Sequence, residues 1–407
     1  MIFVVFGGGI SIGFAGIEVR STTIDFPAIG LLLTGLGSLF IAGQWREGLL
    51  VCVALLLAGA MAEVVLRVFD HPLSKAHIDY AAWYQPSDYY GHELVAGFEG
   101  FGPLNQPVKI NEEGFRDLPH ANEKPAGVVR VLGLGDSFMF GWGVPEDETF
   151  LKQLERRLDA RIDRSVESIN AGVPGWGLNQ YYLFLKRRGL QWSPDIVVLA
   201  YFVDDLSGPI QESIPPATQY GRGLQFKGSA LHYSRLFNFM KSLSHLVREK
   251  NRPARVGYLH DLDVRRAEWS HRVNYLMTET AASETQTYSV MLIDHLQRTQ
   301  KIVRSANAGL VLMYVPDISQ LHHPEAQLIN RILSKSCRNL SIPFVDMTAV
   351  FEAHQDPDRY YLWPKDPHTN SRGHAEMAAA LEELICDTPE LKADCHSPRD
   401  SAKSSSS

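Results

Sequence analysis

Cysteine and positive charge are both scarce in this sequence, and each scarcity closes off a class of function. Four cysteines stand among the 407 residues, at positions 52, 337, 386 and 395. None forms a CxxC pair or a Cys/His cluster with zinc-ligand spacing, which removes zinc-ribbon and thioredoxin-like readings. Cys52 lies inside an apolar run. Cys386 and Cys395 are near neighbours towards the C-terminus, either two surface thiols or a disulfide made in an oxidising compartment. Lysine and arginine number 39 against 46 acids, for a net charge of −7, with no basic block and no basic-aromatic stripe. A phosphate-binding surface leaves a basic footprint, so nucleic acid is not an expected partner.

Long apolar runs are confined to the first seventy residues. Residues 1–17 form a glycine-rich run in which Gly9 and Gly13 make a GxxxG pair, favourable for close helix packing. Residues 26–43 and 48–69 are each long enough to span hydrocarbon. The first run has no cationic n-region and two further runs follow it, so an anchor fits better than a removable signal peptide. The expectation is about three transmembrane helices over residues 1–70. Glu63 and Arg67, one turn apart, can pair at the membrane surface. Arg20 and Arg46 are too few to fix orientation by positive charge. Three spans put the N-terminus and the large domain on opposite sides, and the large domain is expected outside the cytoplasm.

The rest of the chain is polar enough to be soluble. Residues 71–127 are rich in Pro, Gly, Tyr and His and read as a connector with short strands, one of them at 108–110. Over 128–390 strands and helices alternate. Short, β-branched, continuously apolar segments at 128–134, 166–169, 195–202, 309–315 and 342–345 predict strands buried on both faces. Helical patterns at 150–162, 179–188, 268–306, 324–339 and 373–385 lie between and after them. This predicts a three-layer α/β/α domain with a doubly wound parallel sheet. An insertion near 207–266 can form a lid or docking surface, and a disordered tail is expected over 391–407.

Ligands of such sheets bind beyond the carboxyl ends of the strands. Those ends carry Gly135-Asp136-Ser137, Asn170-Ala171-Gly172 and Asp204-Asp205-Leu206, and Asp366-Pro367-His368-Thr369-Asn370 precedes the last helix. A serine attacks an ester at neutral pH only with an imidazole base, a carboxylate to hold that base and donors for the oxyanion. The parts are present, in an order distinct from the GxSxG pattern of α/β-hydrolases.

On these blocks residues 111–385 resemble the SGNH (GDSL-like) hydrolases. A GDS triplet alone is weak; four blocks in order on the right elements are specific. The resemblance implies Ser137 as nucleophile, Asp366 and His368 as its relay, and Gly172 and Asp204 at the oxyanion or substrate. It implies a serine esterase or O-acyltransferase without metal or organic cofactor. The flanking Ile110-Asn111-Glu112-Glu113-Gly114-Phe115-Arg116 and Gly172-Val173-Pro174-Gly175-Trp176 are similar to a bacterial membrane-linked branch related to alginate-type O-acetyltransferases. That branch implies a multi-pass inner-membrane protein, a periplasmic catalytic domain and an acylated cell-surface carbohydrate as substrate. Two departures stand out. Lys365 holds the position of the family's usual Asp, leaving Asp366 two residues before His368, and Asp204 replaces the usual Asn. An ionised carboxylate cannot donate to an oxyanion and repels it. A non-catalytic polysaccharide-binding or assembly protein on the same fold is therefore the second expectation.

Bland roles compete for several residues. Asp136 is expected to hold its turn, Asp205 to bond loop backbone, and His374 to pack within the last helix. His322 and His323 read as a solvated helix start. Trp142, Trp176 and Trp363 either offer a sugar-stacking surface or cover the sheet end.

Overall fold

A computed structural model describes residues 2–6, 9–14, 17–21, 45–69, 83–216, 234–250, 282–323 and 326–396. The chain divides into two units, Met1–Ala76 with Ser229–Arg248, and His77–Gly228 with Glu249–Ser407.

In the first unit, β1 (Ile2–Phe6), β2 (Gly9–Phe14) and β3 (Ile17–Ser21) pair as an antiparallel meander. The expected first transmembrane helix is therefore replaced by strands. Its Ile, Val and Gly content costs helix and suits extended chain, a preference that outweighs the GxxxG signal. The second expected span, 26–43, lies outside the described residues. The third is α1 (Trp45–Val68), the one helix among the described residues long and apolar enough to cross a membrane. Its 24 residues extend about 36 Å.

The second unit begins with two hairpins, β4 (Tyr84–Ser87) with β5 (Gly91–Leu94) and β6 (Glu99–Phe101) with β7 (Pro107–Lys109). Their Trp83, Tyr90, Phe98, Val108, Ile110 and Phe115 join the main hydrophobic core, so the connector is part of the domain's packing. Then come β8 (Val129–Leu134), α2 (Ser137–Phe140), α3 (Phe150–Asp159), β9 (Val166–Asn170), α4 (Leu178–Arg187) and β10 (Ile196–Tyr201). After α5 (Arg235–Lys250), which belongs to the first unit, follow α6 (Ala282–Ser305), β11 (Gly309–Tyr314), α7 (Leu328–Leu340), β12 (Phe344–Asp346), α8 (Met347–Glu352) and α9 (Ser371–Cys386).

The five strands pair in parallel in the order β12-β11-β10-β8-β9. Every residue of β8, β10 and β11 is buried, as continuous apolar strands require. Helix α3 packs on α9, whereas α6 packs on α4 and α7. Right-handed crossovers place these two groups on opposite faces of the sheet. The winding direction reverses between β8 and β10, and the crevice at that switch point is where such sheets bind ligands.

Candidate active site

Ser137 opens α2 immediately beyond β8, where the chain must leave the sheet sharply. Asp136 makes the turn by accepting the Phe138 N–H at 2.9 Å. Gly141 ends the helix in the left-handed region at φ 82°. Opposite, the loop before α9 is fixed by Asn370, whose side chain accepts the Arg372 and Gly373 amides and donates to the Arg359 and Tyr361 carbonyls. A Leu362 N–H to His368 carbonyl bond of 2.8 Å ties the loop back on itself.

Across the crevice, His368 Nε2 lies 2.7 Å from Ser137 Oγ, and His368 Nδ1 lies 2.6 Å from Asp366 Oδ1. The same Asp366 oxygen accepts the His368 backbone N–H at 3.0 Å, so the two-residue spacing reaches the imidazole. Asp366 is buried. The His368 ring lies against Phe138, 4.8 Å between centroids and tilted, and against Trp142, 5.4 Å and stacked. Chemically, an imidazole so placed can take the hydroxyl proton while the carboxylate steadies the resulting imidazolium.

Gly172 is set against the backbone after the serine: an added Cβ would meet Phe140 N at 2.4 Å and Met139 C at 2.8 Å. Only glycine allows that approach. Its N–H donates to Asn170 Oδ1 at 3.0 Å. Asn170 in turn donates from Nδ2 to Met139 O at 3.0 Å and from its backbone to Asp117 Oδ2 at 2.8 Å.

Asp204 follows β10 and is exposed. Its carboxylate forms a cluster with Asp136 and Asp205 in which ligand oxygens lie within 4.8 Å of one another, the one such group with metal-like spacing among the described residues. Burial, then the charge of Asp204, pushes Asp136 up to about 7. Asp205 is raised well above the usual carboxylate range, by burial first and then by Asp136 and Asp204. Its Oδ2 accepts the Phe202 N–H at 2.8 Å. Asp317, beyond β11, is pushed up to about 6, chiefly by burial.

The rival residues are accounted for locally. His374 is buried, accepts the Phe150 N–H at Nδ1 (3.0 Å) and stacks on the Phe150 ring; burial holds it down to about 3. His322 sits 2.5 Å from Asp358, at the end of a short 3-10 turn. Trp176 is buried, with its indole N–H donated to His92 O at 2.8 Å, which leaves Trp142 and Trp363 as the partly exposed indoles.

Sequence reasoning passed over Arg116 and Asp117. Arg116 is buried and donates to the carbonyls of Phe140 (2.8 Å), Gly141 (2.5 Å) and Val144 (2.7 Å), gripping the segment after the serine from beneath. Burial lowers it to about 10, still cationic at neutral pH. Asp117 bonds Lys152 Nζ at 2.7 Å as well as Asn170 N. The available signal was the Phe115-Arg116-Asp117 run just ahead of the first central strand, but each charge finds its partner far along the chain.

The parallel α/β/α sheet thus carries a hydrogen-bonded Ser-His-Asp line beyond its strand ends. Residues 134–376 match the GDSL-like Lipase/Acylhydrolase family, more than half of the chain, and the chain belongs to that family. No curated protein matches the sequence. Among solved structures it is similar to a two-domain esterase active on acetylated mannans (13% identity, 67% of this chain and 52% of that one, TM-score 0.36). It is also similar to an acetylxylan esterase from Geobacillus stearothermophilus, crystallised as a catalytic mutant (12%, 63% and 94%, 0.36). A third similar structure is the lipase/acylhydrolase from Enterococcus faecalis (12%, 63% and 95%, 0.37). The chain spans about half the length of the two-domain esterase.

Proposed function

We propose that the chain works through an acyl-enzyme on Ser137, with His368 as general base and acid and Asp366 orienting it. The observation that carries this is the continuous line of short contacts, 2.7 Å from Ser137 Oγ to His368 Nε2 and 2.6 Å from His368 Nδ1 to Asp366. The serine hydroxyl adds to the ester carbonyl while its proton passes to Nε2. That proton then leaves with the alcohol, and a second hydroxyl releases the acyl group. Water as that second nucleophile gives hydrolysis, and a sugar hydroxyl gives O-acyl transfer. For the oxyanion the Ser137 N–H is the first donor, because a helix's opening amides have no intrahelical acceptor. The Gly172 N–H is the second, shared with Asn170 Oδ1.

An acylated carbohydrate is the substrate class we favour, supported by the partly exposed Trp142 ring stacked on the catalytic imidazole. We place α1 in a bacterial inner membrane with the catalytic domain outside the cytoplasm. The Cys386–Cys395 disulfide supports that side, because such bonds persist in oxidising compartments. The second reading, a non-catalytic polysaccharide-binding or assembly protein on the same fold, is favoured by one observation, the carboxylate of Asp204 among the site's acids.

Fluorophosphonate labelling of membranes containing the full chain separates the two. Labelling that vanishes in Ser137→Ala, with hydrolysis of p-nitrophenyl acetate or acetylated oligosaccharides, supports the enzyme. An unreactive Ser137 leaves the binding protein. Resistance to alkaline carbonate extraction checks the anchor, which fails if the intact chain is recovered in the soluble fraction.

A further inference from the structure

Helix α5 presents its apolar side to the outside. Phe237 (44% exposed), Met240 (58%), Leu243 (44%) and Val247 (46%) are exposed, whereas Asn238 (8%) and Ser242 (0%) are buried. Spacings of three, three and four residues put the four apolar chains within an arc of about 120° on a helix wheel. For a helix facing water this is the reverse of the usual arrangement, in which the polar side is turned out.

The position of its first turn says what that outward face meets. Glu63 lies five residues before the end of α1, about 7.5 Å of helix. Its carboxylate accepts from Arg67 Nε (2.9 Å), Ser234 Oγ (2.9 Å), Arg235 N (2.9 Å) and Leu236 N (2.8 Å). Glu63 therefore caps α5 from another helix, and the amides of α5 satisfy an acid that would be costly near hydrocarbon. Leu236 also packs over Gly59, 3.9 Å from where a Cβ would stand. The start of α5 is thus pinned to the last turns of α1, the depth at which a spanning helix enters the headgroup layer. Around it α1 exposes Leu56, Leu57, Met61 and Val64. The sequence of α5 holds Arg235, Lys241, Arg248 and Lys250 against the single acid Glu249, a balance that complements anionic headgroups.

We infer that α5 is an interfacial helix whose Phe237, Met240, Leu243 and Val247 insert into the lipid at the end of α1, giving the chain a second membrane attachment. The inference rests on the reading of α1 as membrane-spanning. Because residues 229–248 interrupt the sequence of the second unit, the attachment tethers that unit through a segment remote from α1 in the sequence.

The test uses the full chain in vesicles of phosphatidylcholine and phosphatidylglycerol. Cys52 is replaced by serine, and Cys337 is buried and stays unlabelled. A nitroxide is placed singly at 237, 240, 243, 247 and, as reference, at Leu56, and its accessibility to oxygen and to a water-soluble nickel chelate is measured. The inference expects all five sites to favour oxygen over nickel, with the α5 sites shallower than Leu56. Nickel-accessible α5 sites beside an oxygen-favouring Leu56 overturn it and leave the anchor standing. Sites on α5 shielded from both reagents mean that protein covers the face, which also overturns it. A nickel-accessible Leu56 removes the anchor itself and the inference with it.

Discussion

Replacing Asp204 by asparagine tests whether the acid-rich sheet edge limits the chemistry. The perturbation removes one charge and supplies one amide donor at nearly constant volume. The oxyanion forms on a carbon bonded to Ser137 Oγ, and that oxygen lies 3.4 Å from Asp136 Oδ2. Asp136 and Asp204 oxygens in turn lie within 4.8 Å of each other. If the Asp204 carboxylate stands about 5 Å from the oxyanion, a separation on the scale of that cluster, the two unit charges repel by about 3.3 kcal/mol at an effective dielectric of about 20. Asp204 is exposed, so water screens its field and about half of that survives. Removing the charge alone then raises the rate roughly twentyfold, and a donor aimed at the oxyanion carries the gain to about a hundredfold. The substitution also withdraws the second cause of the raised Asp136 pKa, leaving burial, so the ionisation near 7 moves down and the pH–rate profile flattens. The assay is kcat/KM for p-nitrophenyl acetate from about pH 5.5 to 9, with Ser137→Ala in the same background abolishing the gain. Unchanged activity across that range would mean Asp204 faces away from the reacting centre. Lost activity would mean that the carboxylate itself takes part in the reaction, and either result refutes the reasoning.

Three further outcomes follow from the geometry. Asp136 is raised to about 7 from an ordinary 3.8, so its contribution to stability is full in acid and is lost as pH rises through 7. Asp136→Asn, which keeps an N-cap acceptor, therefore raises Tm more at pH 8 than at pH 5. His374 has the opposite sign: held at about 3 against an ordinary 6.5, it erodes stability as pH falls from 6.5 towards 3, and thermal melts of His374→Gln should lose that component of the acid limb. Arg116→Lys carries all its donors on one nitrogen and cannot span the carbonyls that Arg116 reaches from Nη1 and Nη2; a loss of about 3 kcal/mol in denaturant melts and slower fluorophosphonate labelling of Ser137 are expected.

Much of the fold was legible because its determinants are local. The expected strands at 128–134, 166–169, 195–202 and 309–315 match β8, β9, β10 and β11 to within a residue at each end, since buried parallel strands advertise themselves as continuous β-branched runs. The last strand starts two residues late, after Pro343, which lacks a ladder donor. Ser137, His368 and Asp366 were visible because each sits at a strand end or beside a helix cap. What escaped is set by distant partners. Asp117 reaches Asn170 across 53 residues and Arg116 reaches Phe140 across 24, and no local pattern announces such contacts. The Gly172 amide could be assigned to a loop but not to its acceptor, Asn170 Oδ1. The amino-terminal run misled because glycine spacing suggested helix packing while the β-branched content between the glycines favoured strands.

One local device accounts for the electrostatics of the whole sheet edge. Asp136 beyond β8 accepts the Phe138 amide, Asp205 beyond β10 the Phe202 amide, Asp317 beyond β11 the Ser319 amide, and Asp346 at the end of β12 the Thr348 amide. Each carboxylate closes one turn, as caps do. Because the strands are parallel, all these turns fall at the same edge, which is also where substrate must bind. A good local solution, repeated, thus gathers acids beside a reaction that creates negative charge. Burial reconciles the two demands by favouring the neutral form: Asp136, Asp205 and Asp317 are all raised by it. A protonated acid can still accept an amide while presenting no net charge to the oxyanion. The reconciliation weakens as pH climbs past about 7, where Asp136 ionises next to Ser137. The cluster therefore sets an upper limit to the favourable pH at this sheet edge.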